Sequence, residues 1–166
     1  MIRRSTIFVA STLLLVACGW GSDPGTVGDI APLDTLTETY GCGHGFWVGN
    51  PAQTTALRFQ YMGEDGRASD ADLPSPTWTV EMIDGQNLYA NWCDDVIEPG
   101  EPEPLVVRRL TVVAGSLTVI GDPPALFDGG ELTLRAEGLT VEIPDGEAVE
   151  LGDITIDNPT YGLFAG

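Results

Sequence analysis

The strongest constraint on the fold is that apolar side chains recur at every second position in several stretches of the chain. Across residues 55–61, Thr, Leu, Phe and Tyr alternate with Ala, Arg and Gln, and across residues 78–82, Trp, Val and Met alternate with Thr and Glu. Successive side chains of a β-strand point to opposite faces, so a period of two places the apolar set on one face of a sheet. No stretch after residue 34 shows a convincing helical period. The pattern therefore predicts an all-β domain.

Turn-forming residues divide this domain into short predicted strands. We expect hairpin turns at Asp84-Gly85 and Ala114-Gly115, a break near Gly138, and a turn at Pro144 to Gly146. Residues 63–76 are expected to form a polar loop. The predicted strands of the last third lie at 105–113, 116–120, 131–136, 139–143, 147–151 and 154–156. About nine or ten short strands favour an antiparallel β-sandwich, with a barrel-like variant as the alternative.

The first residues have the layout of an export signal. The positive pair Arg3-Arg4 precedes an apolar run that begins at Ile7 and ends at the sequence Leu15-Val16-Ala17-Cys18. A charged start, a short apolar centre and a small-residue exit are typical of a secretory signal peptide. The run from Ile7 to Cys18 is shorter than the roughly 20 residues that a membrane-spanning helix needs.

The four residues from Leu15 to Cys18 resemble the lipobox of bacterial lipoproteins. This resemblance implies that the Cys18 sulfur receives a diacylglyceryl group, that the chain is cut before Cys18, and that the new amino end is acylated. Two or three acyl chains anchor a protein stably in a membrane. We therefore expect an extracytoplasmic protein held by lipid to the cell membrane, or to the outer membrane in a diderm organism.

The expected organisation has three parts. Residues 1–17 form the signal peptide, and residues 18–33 form the lipidated cysteine and a flexible tether rich in Gly, Ser, Asp and Pro. Such a composition favours flexible chain over regular structure. Residues 34–166 are long enough for a single all-β domain with a core of its own.

The charge balance excludes one class of partner. The chain has 7 basic residues, all arginines, against 25 acidic ones, for a net charge of −18. Removal of residues 1–17 takes away two arginines and no acid, which leaves −20. An acidic surface repels phosphate backbones, so we expect no nucleic-acid partner.

Assignment of Cys18 to the lipid leaves two cysteines, Cys42 and Cys93. Disulfides persist outside the cytosol, so we expect these two to pair. The bridge would close a loop of about fifty residues and contribute at most about 4 kcal/mol. The alternatives are two separate thiols or a metal site. Because His44 is the only histidine, the ligand set is too small, and we expect neither a metal nor a cofactor.

Two groups of residues are candidates for ligand binding. Trp47 lies among glycines and is expected to be exposed, and Tyr89 and Asn91 share one face of a predicted strand at 88–92, opposite the core side chains Trp78 and Trp92. Exposed rings and amides of this kind are typical of carbohydrate sites.

The second group is acidic. Asp94 and Asp95 follow Cys93 directly, and a disulfide at Cys93 would hold their loop rigid. Calcium takes six to eight oxygen ligands, often from carboxylates on loops. These two aspartates are therefore the candidate calcium ligands.

Signatures of catalysis are lacking in the sequence. No serine lies in a Gly-x-Ser-x-Gly motif, and a single histidine limits acid–base chemistry. We therefore predict a non-catalytic binding or interaction module of the cell envelope, with an envelope protein or glycan as partner. The alternatives are a carbohydrate- or calcium-binding β-sandwich, and a hydrolase that uses two carboxylates.

The stretches Tyr40 to Asn50 and Asn91 to Asp95 resemble small secreted lipoproteins of actinobacteria, a group without an established activity. This resemblance implies an envelope location and supplies no catalytic residues.

Lipidation can be tested by replacing the cysteine. We expect a Cys18→Ser protein to be released from membranes, because it lacks the sulfur that carries the diacylglyceryl group. Fractionation of cells into membrane and soluble parts measures this release. Retention of the Cys18→Ser protein in the membrane fraction would refute the anchor.

Overall fold

The computed structural model describes residues 30–63, 67–90, 99–121 and 130–157, and the backbone of residues 160 and 161. A 3₁₀ turn, Leu33–Thr35, precedes ten β-strands in these ranges. The strands are β1 Glu38–Cys42, β2 Gly45–Gly49, β3 Thr55–Tyr61, β4 Ala71–Leu73, β5 Trp78–Gln86, β6 Leu105–Ile120, β7 Gly130–Glu131, β8 Thr133–Glu142, β9 Ala148–Ile156 and β10 Thr160–Tyr161. The prediction of an all-β domain is confirmed.

Eight of the strands form one antiparallel sheet. Its order is β1-β2-β3-β5-β6-β8-β9, and β4 pairs with β6 beside this path. Strands β7 and β10 form a separate two-stranded sheet. In the described part of the chain, β1 and β9 end the path without pairing with each other, so the sheet is not closed into a barrel.

Strand β6 belongs to both halves of the sheet. Its residues 105–111 pair with β5, whereas residues from Val112 onward pair with β8, and Gly115 to Leu117 pair with β4. The inward side chains of both halves form one hydrophobic core. The first half contributes Phe46, Leu57, Phe59, Val80 and Met82, and the second half contributes Leu134, Ala136, Leu139, Val141 and Ile156. The sheet therefore folds over on itself around a shared core, as two layers of a sandwich do.

The fold-over is marked by glycines at the same level of three neighbouring strands. Gly115 of β6, Gly138 of β8 and Gly152 of β9 have φ angles of 132°, 61° and 98°. The pairing register shifts beside each of them, as it does at a β-bulge. Bulges bend a strand and increase its twist, and glycine takes positive φ without a Cβ clash. Because β6 runs unbroken through Ala114 and Gly115, the hairpin predicted there is wrong.

The same correction applies to the other divided strands. Residues 133–142 form one strand through Gly138, and residues 148–156 form one strand through Gly152. Asp84-Gly85 is also not a turn, because both residues lie within β5, where the register shifts between them. A Cβ on Gly85 would overlap the carbonyl oxygen of Leu105, so the close approach of β6 requires glycine there.

Other local predictions have mixed outcomes. The alternation in 55–61 and 78–82 is confirmed as β3 and the first part of β5. The turn at Pro144 to Gly146 is confirmed and closes with a 2.8 Å hydrogen bond from the Gly146 amide to the carbonyl of Ile143. The polar loop predicted at 63–76 contains a short strand, β4, which its sequence does not indicate. Leu33 is buried, so packing begins within the stretch whose composition is typical of a tether.

The bend can be tested with two alanine substitutions. Gly152 has positive φ, but a Cβ added there would meet no atom within 4 Å, so Gly152→Ala should cost about 1–2 kcal/mol from the backbone alone. At Gly115 the new Cβ would lie 2.9 Å from the Glu137 carbonyl oxygen and from Leu139 Cδ2. Gly115→Ala should therefore lower the free energy of unfolding by about 1–3 kcal/mol more than Gly152→Ala does. Urea unfolding followed by tryptophan fluorescence measures both, and equal losses would contradict a tight bend at Gly115.

Candidate functional site

The first half of the sheet carries a second, smaller set of side chains on its outer face. Strand β2 is buried at all five positions, so it is covered on both faces. Phe46 and Val48 point into the shared core, and Trp47 belongs to a separate cluster on the outer face. The other buried members of this outer cluster are Ala56, Ile83, Leu88 and Tyr89.

Three aromatic rings pack together at this outer cluster. The ring centroids of Trp47 and Tyr89 are 3.9 Å apart, and those of Tyr40 and Trp47 are 4.2 Å apart. Tyr40 and Tyr89 are separated by 5.0 Å, which is much less than the sum of the other two distances. The rings therefore form a compact cluster, not a linear stack. Tyr40 is 44% exposed, whereas Trp47 is 2% and Tyr89 8% exposed, so Tyr40 is the member of this aromatic cluster that solvent reaches.

The hairpin between β1 and β2 brings Tyr40 to Trp47. Cys42 pairs with Gly45, so Gly43 and His44 form a two-residue loop, and Gly43 takes a φ of 59°. Pairing outward from this loop puts Tyr40 directly opposite Trp47. Directly opposed side chains on one face lie close enough for their rings to stack.

Tyr89 reaches the cluster from a turn and not from a strand. The Leu88 amide donates a 3.1 Å hydrogen bond to the carbonyl of Gln53, which ties residues 87–90 to the loop after β2. The Tyr89 hydroxyl donates to the carbonyl of Asn50. A Cβ on Gly49 would lie 2.9 Å from Tyr89 Cε1, so the missing side chain at Gly49 makes room for this ring.

Burial changes the acidity of Tyr89. Loss of solvent raises the pKa of its hydroxyl above the ordinary value of 10.0, and the nearby Tyr40 and Glu38 raise it further. A hydrogen bond with the backbone of Gln53 acts in the opposite direction. The neutral phenol is therefore favoured in the folded protein.

A group of charged residues continues the outer face beyond the rings. Trp47 pairs with Arg58, and Arg58 pairs with Glu81 on β5, so these side chains follow one row across the sheet. Glu81 Oε2 lies 3.7 Å from Arg58 Nη1 and 3.0 Å from Arg109 Nη1. Arg58 Nη2 also donates a 2.7 Å hydrogen bond to Gln60. One carboxylate therefore lies between two guanidinium groups.

The expected exposure of the ring sites needs correction. Trp47 is not exposed, because the Tyr40 and Tyr89 rings cover it on the outer face. Tyr89 is buried too, and residues 87–90 form a turn, so the strand predicted from 88 does not begin there. Trp78 lies in the shared core as predicted.

Several predicted site residues lie outside the described ranges. These are Cys18, Asn91, Trp92, Cys93, Asp94 and Asp95. Cys42 ends β1 and is half-buried, and its pairing with Cys93 stays a prediction. His44 is exposed at the tip of the hairpin.

Sequence reasoning missed Tyr40. Its signal was present, because a two-residue loop at Gly43-His44 makes residues 40 and 47 cross-strand partners.

Acidic side chains form no metal cluster in the described part of the chain. No group of three or more His, Cys, Asp or Glu residues there is placed to hold a metal ion. Thr55 is the one buried polar residue among those described, so none of the described carboxylates is buried. Both the calcium alternative at Asp94 and Asp95 and the expectation of a non-catalytic protein stay predictions.

Comparisons with known proteins add no family to this geometry. No protein-family model, no curated protein and no solved structure matches the chain. Among the residues described, no helix has the length and apolar character to cross a membrane.

The aromatic cluster predicts a loss of stability at alkaline pH. Below the ordinary tyrosine pKa, Tyr89 is neutral in both the folded and the unfolded chain. As pH rises past it, the unfolded chain releases a proton that the folded one keeps, so the free energy of unfolding falls. Tyr89→Phe should lower stability by about 1 kcal/mol at neutral pH through the lost hydrogen bond. The same variant should lose less stability than the parent between about pH 8 and about pH 11. Urea unfolding at about pH 8 and about pH 11 measures the two free energies of unfolding. An alkaline loss that is unchanged in Tyr89→Phe would show that Tyr89 does not cause it.

Proposed function

We propose that the chain is a lipid-anchored, extracytoplasmic and non-catalytic binding module of the cell envelope. The lipobox at Cys18 supports the anchor. The observation that carries the binding role is an exposed Tyr40 ring, held against Trp47 and Tyr89 on the outer face of the sheet. The partner is an envelope protein or glycan.

The packing of Tyr40 makes it a suitable contact residue. Binding normally requires a flexible side chain to lose rotamer freedom, which weakens the complex. Tyr40 already lies against two rings that are themselves buried, so it loses little freedom when a ligand covers it. Tyrosine also offers a large apolar ring with a polar tip, which suits recognition of mixed surfaces.

Carbohydrate binding is the more specific candidate within this proposal. An exposed ring supported by aromatic neighbours is a stacking platform for a sugar ring. Beyond Trp47 in the same row, on β3, lies Arg58, whose guanidinium donates to Gln60. The proposed Cys42–Cys93 disulfide would add to this site. Cys42 lies two residues from Tyr40 on the same face of β1, so a bridge to Cys93 would bring the amide of the neighbouring Asn91 toward the rings.

Site-specific crosslinking in intact cells tests the binding role. A photoreactive amino acid is placed at Tyr40 in one strain and at Ile120 in another, since both side chains are 44% exposed and Ile120 lies on the second half of the sheet. After irradiation, the lipoprotein is extracted in detergent and its adducts are identified by mass spectrometry.

We expect a discrete adduct from position 40 and none from position 120. A discrete adduct supports a binding module whose contact surface includes the aromatic cluster. The same adducts from both positions, or none from either, would count against this surface as the binding face.

A further inference from the structure

The outer face carries an exposed guanidinium, that of Arg109, in a strongly acidic protein. The whole chain has a net charge of −18 and only 7 basic residues. Two of these, Arg58 and Arg109, lie on the same outer face and share one carboxylate, Glu81. These three side chains carry one net positive charge at the β3–β6 side of the face. Glu38, on β1 and two residues from Tyr40, balances it over the whole face.

The two arginines differ in their access to solvent. The side chain of Arg58 is 22% exposed and that of Arg109 is 48% exposed. Burial lowers the pKa of Arg58, Glu81 raises it, and the positive charge of Arg109 lowers it again. Arg109 uses one Nη atom for Glu81, and a guanidinium has five N–H donors in a planar fork. It can therefore take a further anion from the solvent side.

The row of side chains runs across the strands. Tyr40, Trp47, Arg58, Glu81 and Thr111 are successive register partners on β1, β2, β3, β5 and β6. Neighbouring strands are about 4.8 Å apart, so the row is about 19 Å long. A ligand that touches both Tyr40 on β1 and Arg109 on β6 must be an oligomer.

We propose that this face binds an acidic polysaccharide, with one sugar ring stacked on Tyr40 and a carboxylate of the same chain held by Arg109. This inference rests on the proposed binding function and names its ligand class. The solvent-facing guanidinium of Arg109 selects an anion, and the exposed ring of Tyr40 offers a stacking surface for a sugar. A bound peptide strand gains most of its affinity from main-chain hydrogen bonds at a sheet edge. Such bonds are not offered by the face of a sheet, which favours a polysaccharide over an acidic peptide.

Matched polymers test the ligand class on the full chain extracted in detergent. Polygalacturonate carries a carboxylate on every ring, its methyl ester has the same backbone without the charge, and polyglutamate has the charge without sugar rings. Isothermal titration calorimetry gives the three affinities. We expect polygalacturonate to bind about tenfold or more tightly than its methyl ester, which lacks the charge-assisted hydrogen bond. We expect the same factor over polyglutamate, which has no sugar ring to stack on Tyr40.

Variants locate the binding on the outer face. Arg109→Gln should weaken polygalacturonate binding about tenfold through the lost charge-assisted hydrogen bond. Tyr40→Ala should weaken it by about the same factor through the lost stacking surface. Arg135→Gln is the control, because Arg135 is an exposed arginine of β8 on the second half of the sheet, and it should leave the affinity unchanged.

Three results would overturn the proposal. Equal binding of the methyl ester would remove the role of charge, and equal binding of polyglutamate would assign the face to acidic peptides. No binding of any polymer would reject a polysaccharide ligand. In that case an adduct at position 40 in the crosslinking experiment would still support a binding module, so the two proposals fail separately.

Discussion

The whole fold depends on strand β6 being continuous through its bend at Gly115. Because β6 pairs with β5 through residues 105–111 and with β8 from Val112 onward, it fixes the two halves of the sheet face to face. Each half alone would expose its apolar face to water. Closing one half over the other buries both, and the area removed from water is the main source of stability for a domain of this kind. Gly138 and Gly152 bend β8 and β9 at the same level, so neighbouring strands follow β6 without losing their pairing.

The inner face could be predicted from the sequence, and the bends could not. Alternation alone identifies Leu57, Phe59 and Val80 as core residues, because period two is a local property of a strand. A glycine with positive φ serves equally well in a hairpin turn and in a bulge. Which of the two occurs at Gly115 depends on whether the chain continues to pair with the same neighbours afterwards. That information lies in β8, some twenty residues along the chain, and not in the local sequence.

The candidate site shows the same division between local and long-range information. Tyr40 and Trp47 face each other through a two-residue hairpin loop, which the glycines around His44 already indicate. Tyr89 joins them only because its turn is hydrogen-bonded to the loop between β2 and β3, nearly forty residues earlier. The glycines that flank Trp47 predict an exposed indole from sequence alone. Those glycines instead let other rings approach: the absence of a side chain at Gly49 is what allows Tyr89 to cover the indole.

The 3₁₀ turn at Leu33–Thr35 has a mechanical consequence. Leu33 and Leu36 are buried in the core, and the turn packs against β9. A pulling force applied through the amino-terminal segment therefore reaches β9 and the core before it reaches β1. The hairpin that carries Tyr40 begins after this point of attachment. The core contacts of Leu33 and Leu36 therefore stand between a load on the amino-terminal segment and the strand that carries Tyr40.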